Sequence, residues 1–198
     1  MCYIGKPNRM SVVSAQSGAS RRRLALCALA LLSAVPTLHG QSGQALRVVP
    51  LVRADQVYVA FELKDGFSPE VRAAIHSGLK TTFTYVVDLR VEASLWLDRT
   101  IATAVVSNSV EYDNLTRVHS MERRVDGRIE AAKNTDDEDE VRQWMTNVTR
   151  RPLFQTSVLQ PNREYYVRVT ASARPSNGSM LWPFGSGISA QTKFTFLR

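Results

Sequence analysis

The chain has 198 residues, 25 Lys and Arg against 18 Asp and Glu, a formal net charge of +7, and two cysteines. Both cysteines (Cys2 and Cys27) and five of the basic residues fall in the first forty positions, which hold no acidic residue, so the rest carries 20 basic against 18 acidic residues. A balance of +2 with the basic residues scattered singly speaks against a nucleic-acid partner, which needs a basic stripe. A chain without cysteine after residue 40 excludes disulfides, thiol catalysis and cysteine-ligated metals there.

The leader comes first in order. Arg21, Arg22 and Arg23 precede an uncharged run from Leu24 to Val35. A basic segment before roughly 7–15 apolar residues is the pattern of a secretory signal peptide. The run is shorter than the roughly 20 residues a transmembrane helix needs, so no membrane span is expected once the leader is cleaved. Cleavage is expected near Gly40, with Ala45 as the alternative site, an uncleaved anchor as the alternative fate, and Met10 as an alternative start. Cys27 has Leu26 before it where a small residue is wanted, which disfavours lipid attachment. The expected organisation is a signal peptide over 1–40 and one domain over 41–198. About 158 residues without a disulfide suffice for a core that stands on its own.

After the leader, Arg47 to Val52 reads as an edge strand because Pro50 interrupts it. Val57, Val59, Phe61 and Leu63 alternate with Tyr58, Ala60 and Glu62, a strand with one buried face. Ser68, Pro69 and Glu70 are favoured at a helix start, and Val71, Ala74, Ile75 and Leu79 share one face of a helix over 68–79. Gly78 supplies a left-handed residue to end it. Phe83, Tyr85, Val87, Leu89 and Val91 make the longest alternating run. Leu95 to Asp98, Thr100 to Val106, and a segment beginning at Val110 and Tyr112 are predicted as separate strands. Asp126-Gly127 between Val125 and Arg128 is a two-residue hairpin signal.

Thr135 and Glu138 fit a capping box before a second amphipathic helix over 136–149, whose stripe is Val141, Trp144, Met145 and Val148. Trp144 is expected largely buried. Leu153 to Leu159 returns to strand. Pro161 and Asn162 turn the chain into Tyr165, Val167, Val169 and Ala171, which alternate with Tyr166, Arg168 and Thr170. Tyr165 is expected to bury its ring and return its hydroxyl to the backbone a few residues upstream, as in the tyrosine corner of β-sandwiches. Ile188 to Leu197 closes the chain as a last strand. The pattern predicts a mainly β, antiparallel β-sandwich of immunoglobulin or fibronectin III type, with two amphipathic helices as connections.

Phe61-Glu62-Leu63, the helix ending Ser77-Gly78-Leu79, Thr82-Phe83-Thr84-Tyr85, Trp96-Leu97-Asp98 and Tyr112-Asp113-Asn114-Leu115-Thr116 follow one another in a telling order. With the helix around Trp144, Leu159-Gln160-Pro161 and Tyr166-Val167-Arg168-Val169, the order resembles a bacterial envelope family catalogued as domain of unknown function 4390. The resemblance covers roughly Leu46 to Arg198. It implies an exported protein and no transferable activity. The family usually has a Leu-Pro motif near the end, where this chain reads Leu181-Trp182-Pro183-Phe184.

Signatures of chemistry are sparse. His76 and His119 are the only histidines after the leader, without the spacing of a metal pair, and a metal needs three or four converging ligands. No nucleophile elbow or phosphate loop occurs. Asp136-Asp137-Glu138-Asp139-Glu140 lacks the alternate spacing of a calcium loop and suits the positive end of a helix dipole. Three glycosylation sequons, at Asn114, Asn147 and Asn177, read as chance in a bacterial protein. Trp182 and Phe184 in a glycine-flanked loop, with Trp96 and Tyr166 opposite their strands' apolar rows, are the candidate partner contacts. Tyr165, Pro161, Trp144 and Gly78 are the candidate structural residues. No catalytic residue, metal or cofactor is expected.

The reading that follows is an exported, non-enzymatic binding or interaction module of the bacterial cell envelope, with another envelope protein as partner. The alternative is a small-ligand carrier or an enzyme whose site gathers His76, Asp88, Asp113 or His119 into a deep pocket.

Overall fold

A computed structural model describes residues 45–92, 98–175 and 187–197. Nine strands and two helices follow one another: β1 Leu46–Arg53, β2 Gln56–Leu63, α1 Pro69–His76, β3 Thr81–Val91, β4 Arg99–Asp113, β5 Val118–Val125, β6 Arg128–Thr135, α2 Glu138–Thr146, β7 Asn147–Gln155, β8 Arg163–Pro175 and β9 Ile188–Phe196. The protein is mainly β. Its strands form two antiparallel sheets, ordered β1-β2-β7 and β6-β5-β4-β3-β8-β9.

The alternating rows of the sequence become the inner faces of these sheets. Leu46 and Val48 of β1 and Val57, Val59, Phe61 and Leu63 of β2 join Phe83, Tyr85, Val87, Leu89 and Val91 of β3 in one buried cluster. The Phe61 and Tyr85 rings lie 4.6 Å apart, so the two sheets share that core. β3 is the central strand, paired along its length with β4 on one side and β8 on the other. Its register sets Tyr85 opposite Ala171, Val87 opposite Val169, Leu89 opposite Val167 and Val91 opposite Tyr165.

Tyr165 therefore faces inward with its row, as its alternation predicts. Its hydroxyl accepts from the Gln160 N–H at 2.7 Å and donates to the Gln160 carbonyl at 3.4 Å. Pro161 and Asn162 form the turn between, with Asn162 at φ 57° and its N–H bonded to the Phe196 carbonyl. At the β5–β6 hairpin, Asp126 and Gly127 take φ 48° and 80°. The Asp126 carboxylate also accepts the Val105 N–H at 2.8 Å, so the turn is fastened to β4.

Several boundaries differ from expectation. The separate strands predicted within 100–113 are one strand, β4, because Ser107, Asn108 and Ser109 pair directly with Thr84, Phe83 and Thr82 instead of turning. The second helix is shorter than 136–149. Val148 is buried on β7, not on the helix, where it pairs with Phe61. Its cap is Asp137, whose side chain accepts from the Asp139 N–H, while Thr135 accepts from the Asp137 N–H one step earlier. Residues 156–158 form a single 3-10 turn where the strand 153–159 was expected to continue. The first helix covers Pro69–His76, with Ser68 accepting from the Val71 N–H. Gly78 follows its cap at φ 82°, and its N–H closes on the Ile75 carbonyl at 2.9 Å.

Candidate functional site

Polar side chains rarely stay in a core unless something bonds them. Here they gather in two clusters, one at each end of α2. At its C-terminal end, the strand parity that buries Met121 also buries Arg123, which is 5% exposed. Its Nε donates to the Asn108 Oδ1 at 2.7 Å, and one terminal nitrogen donates to the Trp144 and Asn147 carbonyls at 3.0 and 3.2 Å. The Asn108 amide donates to the Trp144 carbonyl at 2.9 Å, and the Tyr85 hydroxyl donates to the Met145 carbonyl at 2.6 Å. These are the orphan carbonyls of a helix end, and a cation there complements the dipole.

The guanidinium also lies over the Trp144 ring, 4.4 Å from its centroid. Burial lowers the Arg123 pKa to about 10, assisted by the neighbouring Arg151, and the group stays charged at neutral pH. Burial likewise pushes the Tyr85 phenol up. Trp144 is half-buried, less than its place on the helix stripe predicted, because its ring lies under the guanidinium at the edge of the core cluster and not within it.

The other cluster lies where α1, β4, β5 and the start of α2 meet. His119 of β5 is 3% exposed. Its ring lies 4.6 Å from Tyr112 of β4 and 5.9 Å from His76 of α1, and the His76 and Tyr112 rings are 5.1 Å apart. Glu138, the first residue of α2, reaches the His76 Nε2 at 3.7 Å and the Arg72 Nε at 2.6 Å. The His119 Nδ1 is buried with no hydrogen-bond partner. Burial lowers the His119 pKa; His76 adds to this, and Thr135, Glu138 and Asp136 oppose it.

An open recess beside this end is lined by Thr116, Arg117, Val118, Asn134, Thr135 and Asp136, not by the imidazoles. Among the described residues, no group of three His, Cys, Asp or Glu is placed to hold a metal ion.

Of the four dispersed candidates, the fold brings together His76 and His119 and leaves the other two apart. Asp88 points outward from β3 and accepts the Thr103 hydroxyl at 2.6 Å. Asp113 caps the β4–β5 turn, and the Leu115 N–H at 2.8 Å, with Thr116, holds its carboxyl below the usual range. Tyr166 is 3% exposed although it lies on the outer face of β8. Arg90 and Arg168 flank its ring at 5.6 and 5.8 Å, and its hydroxyl bonds to Asp98. Trp96, Trp182 and Phe184 lie outside the described residues. Arg123 and Asn108 escape sequence reasoning as a pair; the one signal is that His119 and Arg123 share Met121's parity while Ser120, Glu122 and Arg124 take the other.

The fold and these clusters define a mainly β protein of two antiparallel sheets whose buried polar groups fasten two helices to the larger sheet. The chain belongs to the family described as Domain of unknown function (DUF4390), whose model matches residues 42–177. No curated protein and no solved structure matches the chain.

Proposed function

We propose that this protein is an exported, non-enzymatic interaction module of the bacterial cell envelope, a single domain over 41–198 freed from its leader. In this reading the two sheets form a sandwich of immunoglobulin or fibronectin III type. The return of the Tyr165 hydroxyl to Gln160, five residues upstream, supports that type. The basic segment and the apolar run after it support export. Among the described residues, no helix is long and apolar enough to cross a membrane.

The observation that carries the reading is where apolar side chains remain outside. Val49 and Leu51 of β1 are 46% and 38% exposed, and they pair with Ala60 and Tyr58 on the same outer face of the β1-β2-β7 sheet. Leu115, at the tip of the β4–β5 hairpin, is 95% exposed. Asp88 and Asp113, by contrast, are bonded to the Thr103 hydroxyl and the Leu115 N–H. A contiguous exposed apolar face is what a protein partner covers. Trp182 and Phe184 are proposed contacts of the same kind, as is Trp96.

Capture from envelope extract tests this. The wild type should retain a partner that is lost in Leu51→Asp and in Trp182→Ala/Phe184→Ala, while Asp88→Asn retains it. Equal capture by all variants, or none by any, overturns the reading. The convergence of His76, His119 and Glu138 favours a second reading, a small-ligand carrier. A ligand that shifts the His119 ring resonance at micromolar concentration would support it.

A further inference from the structure

The junction of α1, the β4–β5 hairpin and α2 differs from the rest of the interior in one respect. It buries a group that takes up a proton in the mildly acidic range, and it offers that proton no acceptor. Neutral His119 fits as placed, because an unpartnered Nδ1 is then only an acceptor left idle. Protonated His119 turns that atom into a donor with no partner in the packed arrangement, and the unmet donor carries the full cost of its lost hydration.

The elements packed around it contribute these groups. α1 contributes His76, and Arg72 through Glu138; β4 contributes Tyr112; α2 and its lead-in contribute Glu138 and Asp136; β6 contributes the Thr135 backbone. The carboxylates favour the proton, but Glu138 already serves Arg72 and His76. His76 is half-exposed beside Glu138, 5.9 Å from the His119 ring, and its charge opposes a proton there.

We propose that this junction is an acid-sensitive latch: a proton on His119 is incompatible with the packed arrangement, so acidification releases α1 and the β4–β5 hairpin tip while the sheets stay paired. α1 is suited to such release. It has eight residues, and its buried hold on the sheets is Val71 and Ile75. Release exposes those two buried side chains. The inference does not rest on the proposed envelope role.

The sign follows from the lowered His119 pKa. An unfolded or released His119 binds a proton near pH 6.5 and the latched one only below that. The latch is therefore whole above about pH 6.5 and weakens as pH falls below it, by at most about tenfold in opening equilibrium per pH unit for one proton.

Hydrogen exchange on the full chain between pH 7.5 and 5, corrected for the intrinsic pH dependence of exchange, reads this directly. Amides of Val71 to His76 and of residues around His119 should lose protection by about tenfold or more by pH 5. Amides of Val87 and Val169 in the central sheet should not. His119→Phe keeps a ring and removes the proton, and it should flatten the response. His76→Gln should leave the response in place at slightly higher proton demand. If His119→Phe does not fold, the wild-type ring titration decides: a midpoint clearly below 6.5 that tracks the loss of protection supports the latch. A pH-independent α1, a response unchanged in His119→Phe, a His119 midpoint at the ordinary value, or equal loosening of β3 and α1 each overturns it.

Discussion

The two ends of α2 solve the same problem in opposite ways. Each places a polar side chain from β5 under the helix: Arg123 below its last turn and His119 beside its first residue. Arg123 is held by Asn108, the Trp144 and Asn147 carbonyls and the Trp144 ring. His119 keeps one ring nitrogen without a partner and shares its space with a second imidazole. A buried charge bonded as placed holds one arrangement, whereas a buried ring that gains an unmet donor on protonation has a state to move to. The C-terminal end of α2 is therefore the fixed end and the N-terminal end the responsive one.

Breaking the fixed end should have the largest effect. Arg123→Met removes the donor to the buried Asn108 Oδ1 and one donor each to the Trp144 and Asn147 carbonyls, and breaking this buried network should cost about 3 kcal/mol in urea denaturation. A loss under about 1 kcal/mol would mean water replaces the guanidinium. Tyr85→Phe deletes one bond, to the Met145 carbonyl, and should cost about 1–2 kcal/mol by the same measurement.

At the responsive end, Gly78→Ala forces a side chain into φ 82° and sets a Cβ 3.3 Å from the Asn114 amide. It should cost about 1 kcal/mol, with the loss visible at α1. His76→Gln removes an exposed pair with Glu138 and should change stability by less than about 0.5 kcal/mol. The sharpest form of the comparison is a pH series. The Arg123→Met curve should lie below the wild type by a constant amount from pH 5 to 7.5, whereas a His119→Phe curve should differ from the wild type in slope below about pH 6.5. Slopes alike in His119→Phe and wild type would make the two ends equivalent.

What was legible in the sequence is what repeats at short range. The period of two fixed the inward rows of β2, β3 and β8, including Tyr165 over Tyr166, because one misplaced residue would turn a whole row to water. Asp126-Gly127 announced its hairpin because few residues tolerate two positive φ angles in succession. The two clusters were not legible, since each joins residues from distant elements. His76 and His119 meet only after α1 and the β4–β5 hairpin pack together. Asn108 looks like a turn residue between two serines, and only the Trp144 and Met145 carbonyls make it a core residue. Tyr166 keeps the outward parity its alternation predicts, and which neighbours gather on that face, Arg90, Arg168 and Asp98, was again a matter of distant elements.

The position of β3 has a consequence for how the chain comes to be folded. One neighbour, β4, follows it directly, but the other is β8, which sets Thr81 against Pro175 and Val91 against Tyr165. Such distant pairing is slow, because the loop must close before the contacts reward it. During synthesis the run from Phe83 to Val91 emerges with one edge open and stays so until nearly the whole chain is available. It is β-prone, apolar on one face and free of proline, the composition that recruits stray strands. Whatever escorts the nascent chain has this segment to shield, and a delay in β8 should reach the cell as aggregation long before it registers as lost stability.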